Sequence, residues 1–221
     1  MATRFMYKAL STAALGIALS PLLAATTAAS PASSNTVAQP VSDQTSTVFD
    51  PVGDAYFHNA PAFQDVVFGQ MTKTASGDFE LLMKVAGPVP VAPTLPPSAP
   101  TEIWWLWTFD LDPTAFPAGY PGAPGYASAA GVEFSVYVRW DGTEFAGIAI
   151  DRRPLLTGGE AIITPVPFSI NGTILEADLA YELIGDVPPS FRWSVVTLNW
   201  AGPVGSVGHL VIDSAGADFN P

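Results

Sequence analysis

The stretch from Gly131 to Asp151 reads GVEFSVYVRWDGTEFAGIAID. Its first half alternates: Val132, Phe134, Val136, Val138 and Trp140 are set against Glu133, Ser135, Tyr137 and Arg139. Successive side chains of an extended chain point to opposite faces, so this spacing makes one face apolar and the other mixed, as a half-buried antiparallel strand requires. Asp141-Gly142 follows at once, and Asp-Gly between two such runs signals a tight hairpin, because glycine takes positive φ without steric cost. The segment predicts strands over 131–140 and 143–151 joined at Asp141-Gly142.

The same signals recur on both sides of it. In DFELLMKVAG, Phe79, Leu81, Met83 and Val85 alternate with Glu80, Leu82, Lys84 and Ala86. FRWSVVTLNW (191–200) alternates too, with both of its faces substantially apolar. Asn171-Gly172 predicts a second hairpin, joining 166–170 to 173–179. Proline-rich loops occupy 87–100 and 112–131, and loops this long in a compact domain are commonly functional or mobile. DLAYELIGD (178–186) is the one helical piece, of about two turns at most, stopped by Gly185 and Pro188-Pro189. There is no internal repeat. About eight or nine short strands, two marked hairpins and one short helix predict an all-β, antiparallel, jelly-roll-like β-sandwich over residues 47–221.

Composition agrees. Charged residues make up 13% of the chain and hydrophobic ones 48%, with 22 prolines and 19 glycines, which suits a turn-rich β protein better than a helical one. No cysteine is present, which excludes thiol catalysis, cysteine-ligated zinc and a lipid anchor on cysteine. Residues 1–30 read as a secretory signal peptide: Arg4 and Lys8 charge the start, ALSTAALGIALSPLLAA is apolar, and TTAAS supplies small residues for cleavage. A membrane span needs about 20 consecutive apolar residues. Ser11, Thr12, Ser20 and Pro21 interrupt this shorter run. Residues 31–46 are small, polar and aperiodic, and read as a flexible leader. The expected product is secreted and extracellular, without a membrane span. Cleavage takes two of the eight basic residues and none of the twenty acids, moving the formal charge from −12 to −14. Such a surface repels nucleic acid and anionic lipid, and suits cations, neutral sugars or plain solubility.

The densest chemistry lies in TEIWWLWTFDLDP (101–113). As a strand it sets Trp105, Trp107 and Phe109 on one face and Trp104, Leu106 and Thr108 on the other. Two readings are open. Either every tryptophan is core or covered by the proline-rich loops, or one face of the strand lines a groove where an aromatic ring stacks on a sugar. Trp104 and Trp105 are alternatives for the platform, since only one of them faces the core; Tyr120 and Tyr126 of the long loop would close over it. Asp110 and Asp112 end the strand pointing one way, and Asp50 and Asp54 occupy the turn in FDPVGDAY (49–56). Oxygen-only donors suit a hard cation such as calcium, which takes about six to eight of them, so a site requires the two loops to meet or carbonyls and water to join. The plain alternative is that each aspartate caps a turn. Two acids also suffice for glycoside hydrolysis, but twenty acids make such pairs inevitable. His58 and His209 are the only histidines, neither has a ligand-spaced partner, and no serine sits in a nucleophile motif.

The order of these features resembles the family 9 carbohydrate-binding modules and their DOMON-like relatives. It is carried by the acidic turn Asp50-Pro51-Val52-Gly53-Asp54, the strand Asp65-Val66-Val67-Phe68-Gly69-Gln70, and the strand Phe79-Glu80-Leu81-Leu82-Met83-Lys84-Val85. Then come the aromatic strand ending Asp110-Leu111-Asp112, the helical piece ending Leu183-Ile184-Gly185, and the last strand Val211-Ile212-Asp213-Ser214-Ala215-Gly216-Ala217-Asp218. The resemblance implies a sandwich, calcium at the acidic loops, and sugar or haem as ligand in some members; no axial Met and His pair for haem is matched here. The sequence therefore predicts a non-catalytic carbohydrate-binding domain with structural calcium, whose partner is a polysaccharide or another extracellular protein. The alternative is a structural or protein-interaction domain without a small ligand.

Overall fold

The computed structural model describes residues 42–56, 59–94, 102–114, 131–200 and 209–220. The signal peptide, Tyr120, Tyr126 and His58 lie outside them. Eleven strands form two antiparallel sheets: β1 (Gln44–Phe49), β2 (Val66–Lys73), β3 (Phe79–Val85), β4 (Glu102–Asp110), β5 (Phe134–Trp140), β6 (Phe145–Asp151), β7 (Ile162–Pro165), β8 (Phe168–Asn171), β9 (Ile174–Leu179), β10 (Phe191–Trp200) and β11 (His209–Phe219). One sheet has the order β1-β2-β3-β9-β8, the other β11-β10-β4-β5-β6-β7. Among the described residues one α-helical turn, α1, spans Tyr181–Ile184. This is an all-β sandwich with one short helix.

Both expected hairpins form. Gly142 at φ +94° closes β5 onto β6, and Gly172 at φ +62° closes β8 onto β9. The Asp141 carboxylate accepts from Thr143 N (2.8 Å), Thr143 Oγ1 (2.7 Å) and Glu144 N (2.9 Å), an Asx-type clamp that holds the turn. Three donors on the ionised form pull its pKa down from 3.8 to about 2.

Two strands beyond the expected set appear, and both are edges. β1 begins at Gln44, inside the stretch read as a leader; its residues QTSTVF carry an alternating burial with little apolar content to announce it. β7 is four residues long and ends in Pro165, where a missing N–H is harmless on an edge.

The core lies between the sheets. Met71, Phe79, Leu81 and Met83 from one sheet meet Trp105, Trp107, Phe109, Phe134, Trp193 and Val195 from the other, all essentially without solvent contact. Phe79 packs edge-on against Phe109 at 5.4 Å and Phe109 against Phe134 at 5.9 Å, geometries that the ring quadrupole favours. β4 is central in its sheet, and its alternation is what divides the aromatic residues between an inner and an outer face.

Candidate functional site

The acidic turn is carried to the far sheet by backbone bonds. After β1, Asp50 N donates to Val67 O (3.2 Å), and Gly53, at φ +84°, donates to Asp65 Oδ2 (2.8 Å). Tyr56 N then donates to Ile212 O (2.9 Å) in β11, and the Tyr56 and Ser214 hydroxyls lie 2.9 Å apart. The loop is thereby tied to β11, and Asp50, Asp54 and Asp213 come together with one carboxylate oxygen of each within 4.8 Å of the others.

Asp213 is buried; its Oδ2 accepts from Val66 N (2.7 Å) and its Oδ1 from Ser214 N (2.8 Å). Asp65 is buried beside the cluster, with Oδ1 left without a hydrogen-bond partner, as is Asp50 Oδ2. Burial first, then the charges of Asp213, Asp54 and Asp65, push the Asp50 pKa from 3.8 up to about 6. Burial also raises Asp213, and the charges of Asp54 and Asp65 add to it against the two backbone hydrogen bonds. Crowded like charges, of which Asp213 and Asp65 are buried, Asp50 is partly buried and Asp54 is exposed, are unfavourable on their own when buried acceptor oxygens stay unmet, and such a group suits a hard divalent cation. For such a cation three to four carboxylates would supply part of the oxygen shell, and carbonyls or water the rest.

The sequence expectation contains two of the three residues of this cluster. Asp50 and Asp54 belong to it; Asp110 and Asp112 do not. Asp110 pairs across β10 with Arg192, which pairs with Asp218, whereas Asp213 sits opposite Thr197. Five residues of β11 separate the two rows, about 17 Å along the strand. At the β4 end, Glu133 Oε2 accepts from Leu111 N (2.7 Å) and Asp112 N (3.3 Å), while Asp112 Oδ1 holds Thr114 N (3.0 Å) and Oγ1 (2.6 Å). Asp112 is thus a turn aspartate. Asp213, the residue missed, is visible in the sequence only as an acid within an apolar strand, Val211-Ile212-Asp213. A lone buried acid in such a strand is itself the signal.

The aromatic strand resolves in the same residue-by-residue way. Trp105 faces the core, fully buried, with Nε1 donating to Phe63 O (2.9 Å), so of the two platform alternatives it is excluded. Trp104 faces outward and is half-buried. One of its ring faces stacks on Trp200 at 4.9 Å with only 4° between planes, and Tyr137 leans against it at 5.1 Å. Its Nε1 donates to Glu102, which also pairs with Arg139 at 3.3 Å; Arg139 Nε has no hydrogen-bond partner. Below it on the same outer face Leu106, Tyr137, Val196, Leu198 and Trp200 form a second buried apolar cluster. The double-sided apolarity of FRWSVVTLNW is the sequence trace of that cluster. Nothing in the sequence marks Trp200 and Arg139 as neighbours of Trp104, since register alone brings them there.

Compared with known proteins, the chain matches no family model, and no curated protein or solved structure matches it significantly. Among the described residues, no helix is long and apolar enough to cross a membrane.

Proposed function

We propose that this chain is a secreted, non-catalytic binding domain that takes carbohydrate, with a calcium ion held by Asp50, Asp54 and Asp213, and Asp65 beside them, as a structural element. The observation that carries the ligand class is Trp104: alone among the three tryptophans of β4 it keeps exposed surface, and it does so on the outer sheet face next to the Glu102–Arg139 pair. A sugar ring presents C–H groups on one side and hydroxyls at its rim. An indole face desolvates the former while neighbouring charged groups engage the latter. Trp200, stacked behind, holds the indole plane in place, which lowers the entropy lost on binding.

The test is retention on insoluble cellulose, chitin and xylan. Wild type should be retained on at least one, and Trp104→Ala should lose retention while its melting temperature stays near that of wild type. Retention unchanged in Trp104→Ala, or absent for wild type on all three, overturns the reading. The alternative, a protein-interaction domain, is favoured by Phe49, Val52 and Tyr56, which stand exposed together around the acidic turn. It predicts that Phe49→Ser abolishes capture of a protein partner and leaves polysaccharide retention untouched.

A further inference from the structure

Asp110 of β4, Arg192 of β10 and Asp218 of β11 stand in one register row across three neighbouring strands, and Thr108, Ser194 and Gly216 stand in the row two residues away. Alternation turns all six outward from the core. They line a cleft of about 430 Å³, within the size range of small-ligand pockets. Gly216 keeps its floor low: a Cβ there would lie 3.2 Å from Trp193 O and 3.4 Å from Ser194 Cβ.

The chemistry of the walls is unspent. The Arg139–Glu102 and Arg153–Asp151 ion pairs involve none of the three charged groups of the row. Asp110 Oδ1 is shielded from solvent and has no hydrogen-bond partner, so the acceptor capacity of this cleft-lining carboxylate is not used up within the protein. Burial and the nearby Glu133 push the Asp110 carboxyl upward, with Arg192 opposing. The Thr108 and Ser194 hydroxyls lie 2.6 Å apart and together offer one further donor or acceptor. Two carboxylates against one guanidinium disfavour an anion, and Arg192 disfavours a bare cation. A group that donates and accepts at once satisfies both walls.

We propose that this cleft binds a neutral polyhydroxylated ligand, a sugar ring whose adjacent hydroxyls donate to Asp110 and accept from Arg192. The proposal rests on the carbohydrate reading above but on separate contacts: Trp104 lies six residues along β4 from Asp110, about 20 Å away.

The experiment is calorimetric titration with soluble methyl glycosides of glucose, galactose, mannose and xylose, with glycine and inorganic phosphate as zwitterionic and anionic controls. Wild type should bind at least one glycoside and neither control. Asp110→Asn, which preserves side-chain volume, and Arg192→Met, which keeps an unbranched stem and removes the guanidinium, should each weaken that binding about tenfold or more. Gly216→Leu should block it, and Trp104→Ala should leave it intact. Equal melting temperatures for Asp110→Asn, Arg192→Met and wild type establish that the fold is kept. Glycoside binding unchanged in both variants, binding of glycine or phosphate instead, or no glycoside binding by wild type overturns the cleft. Glycoside binding lost in Trp104→Ala alone also overturns the cleft and leaves the Trp104 platform standing. Polysaccharide retention indifferent to Trp104, with glycosides lost in Asp110→Asn, removes the platform and keeps the cleft.

Discussion

Calcium should raise the melting temperature of this protein, and the cluster of Asp50, Asp54 and Asp213 gives the size of the effect. An ion that binds only the folded state stabilises it by RT ln(1 + [L]/Kd), about 2.7 kcal/mol at one hundred times Kd. For a domain of this length each kcal/mol is worth about 2–4 °C, so saturating calcium should shift melting up by about 5–11 °C relative to a chelator. Asp54 is the residue to remove, because it is exposed while Asp213 also accepts two backbone hydrogen bonds. Asp54→Asn should abolish most of the shift and leave the chelated protein as stable as before, since one repelling charge is gone. The pH dependence has a definite sign. Asp50 holds its proton more tightly in the folded state than in the unfolded chain, with a pKa of about 6 against 3.8. Ionising it therefore costs the calcium-free protein stability as pH rises from about 4 through 6. Calcium displaces that proton, so the calcium-induced shift should be full above about pH 7 and shrink as pH falls through 6. Differential scanning fluorimetry at several pH values reads all of this. Identical curves in calcium and chelator would refute it, and a shift of constant size from about pH 5 to 7.5 would remove Asp50 from the ligand set.

Trp105→Ala should cost about 3–5 kcal/mol by denaturant titration, through the cavity and the lost bond to Phe63 O; Trp104→Ala should cost clearly less, and equal losses would contradict their placement on opposite faces. Gly147→Ala should destabilise by about 1–3 kcal/mol, because the new Cβ would lie 2.3 Å from Val166 O, in a residue held close by Val166 N donating to Gly147 O; a neutral result would mean that β6 and the Val166 segment separate more readily than this contact implies. Mass spectrometry of culture supernatant should find a mature N-terminus between about Ala29 and Ser34, and a soluble cytoplasmic product with Met1 intact would refute the leader.

What the sequence could and could not disclose follows from how each feature is encoded. β5, β6 and their turn were legible because one face is buried and one is mixed, and because Asp141-Gly142 is a local instruction. β1 was not, because an edge strand is held by its ladder to β2 and by contacts such as Ser46 Oγ to Asp218 O, neither of which leaves an apolar period. The acidic cluster divides along the same line. Asp50 and Asp54 are neighbours in a turn and could be seen together. Their partner Asp213 lies more than 150 residues away and reaches them only because Tyr56 N bonds to Ile212 O across the two sheets. The expectation that Asp110 and Asp112 would be the partners failed on register: the β4–β10–β11 ladder sets Asp110 beside Arg192 and Asp218 instead. That same ladder is what leaves Asp110 facing a guanidinium across an open cleft. The four acids expected around one ion therefore separate: Asp50 and Asp54 stand with Asp213, Asp110 lines the β4–β10–β11 cleft, and Asp112 holds its own turn.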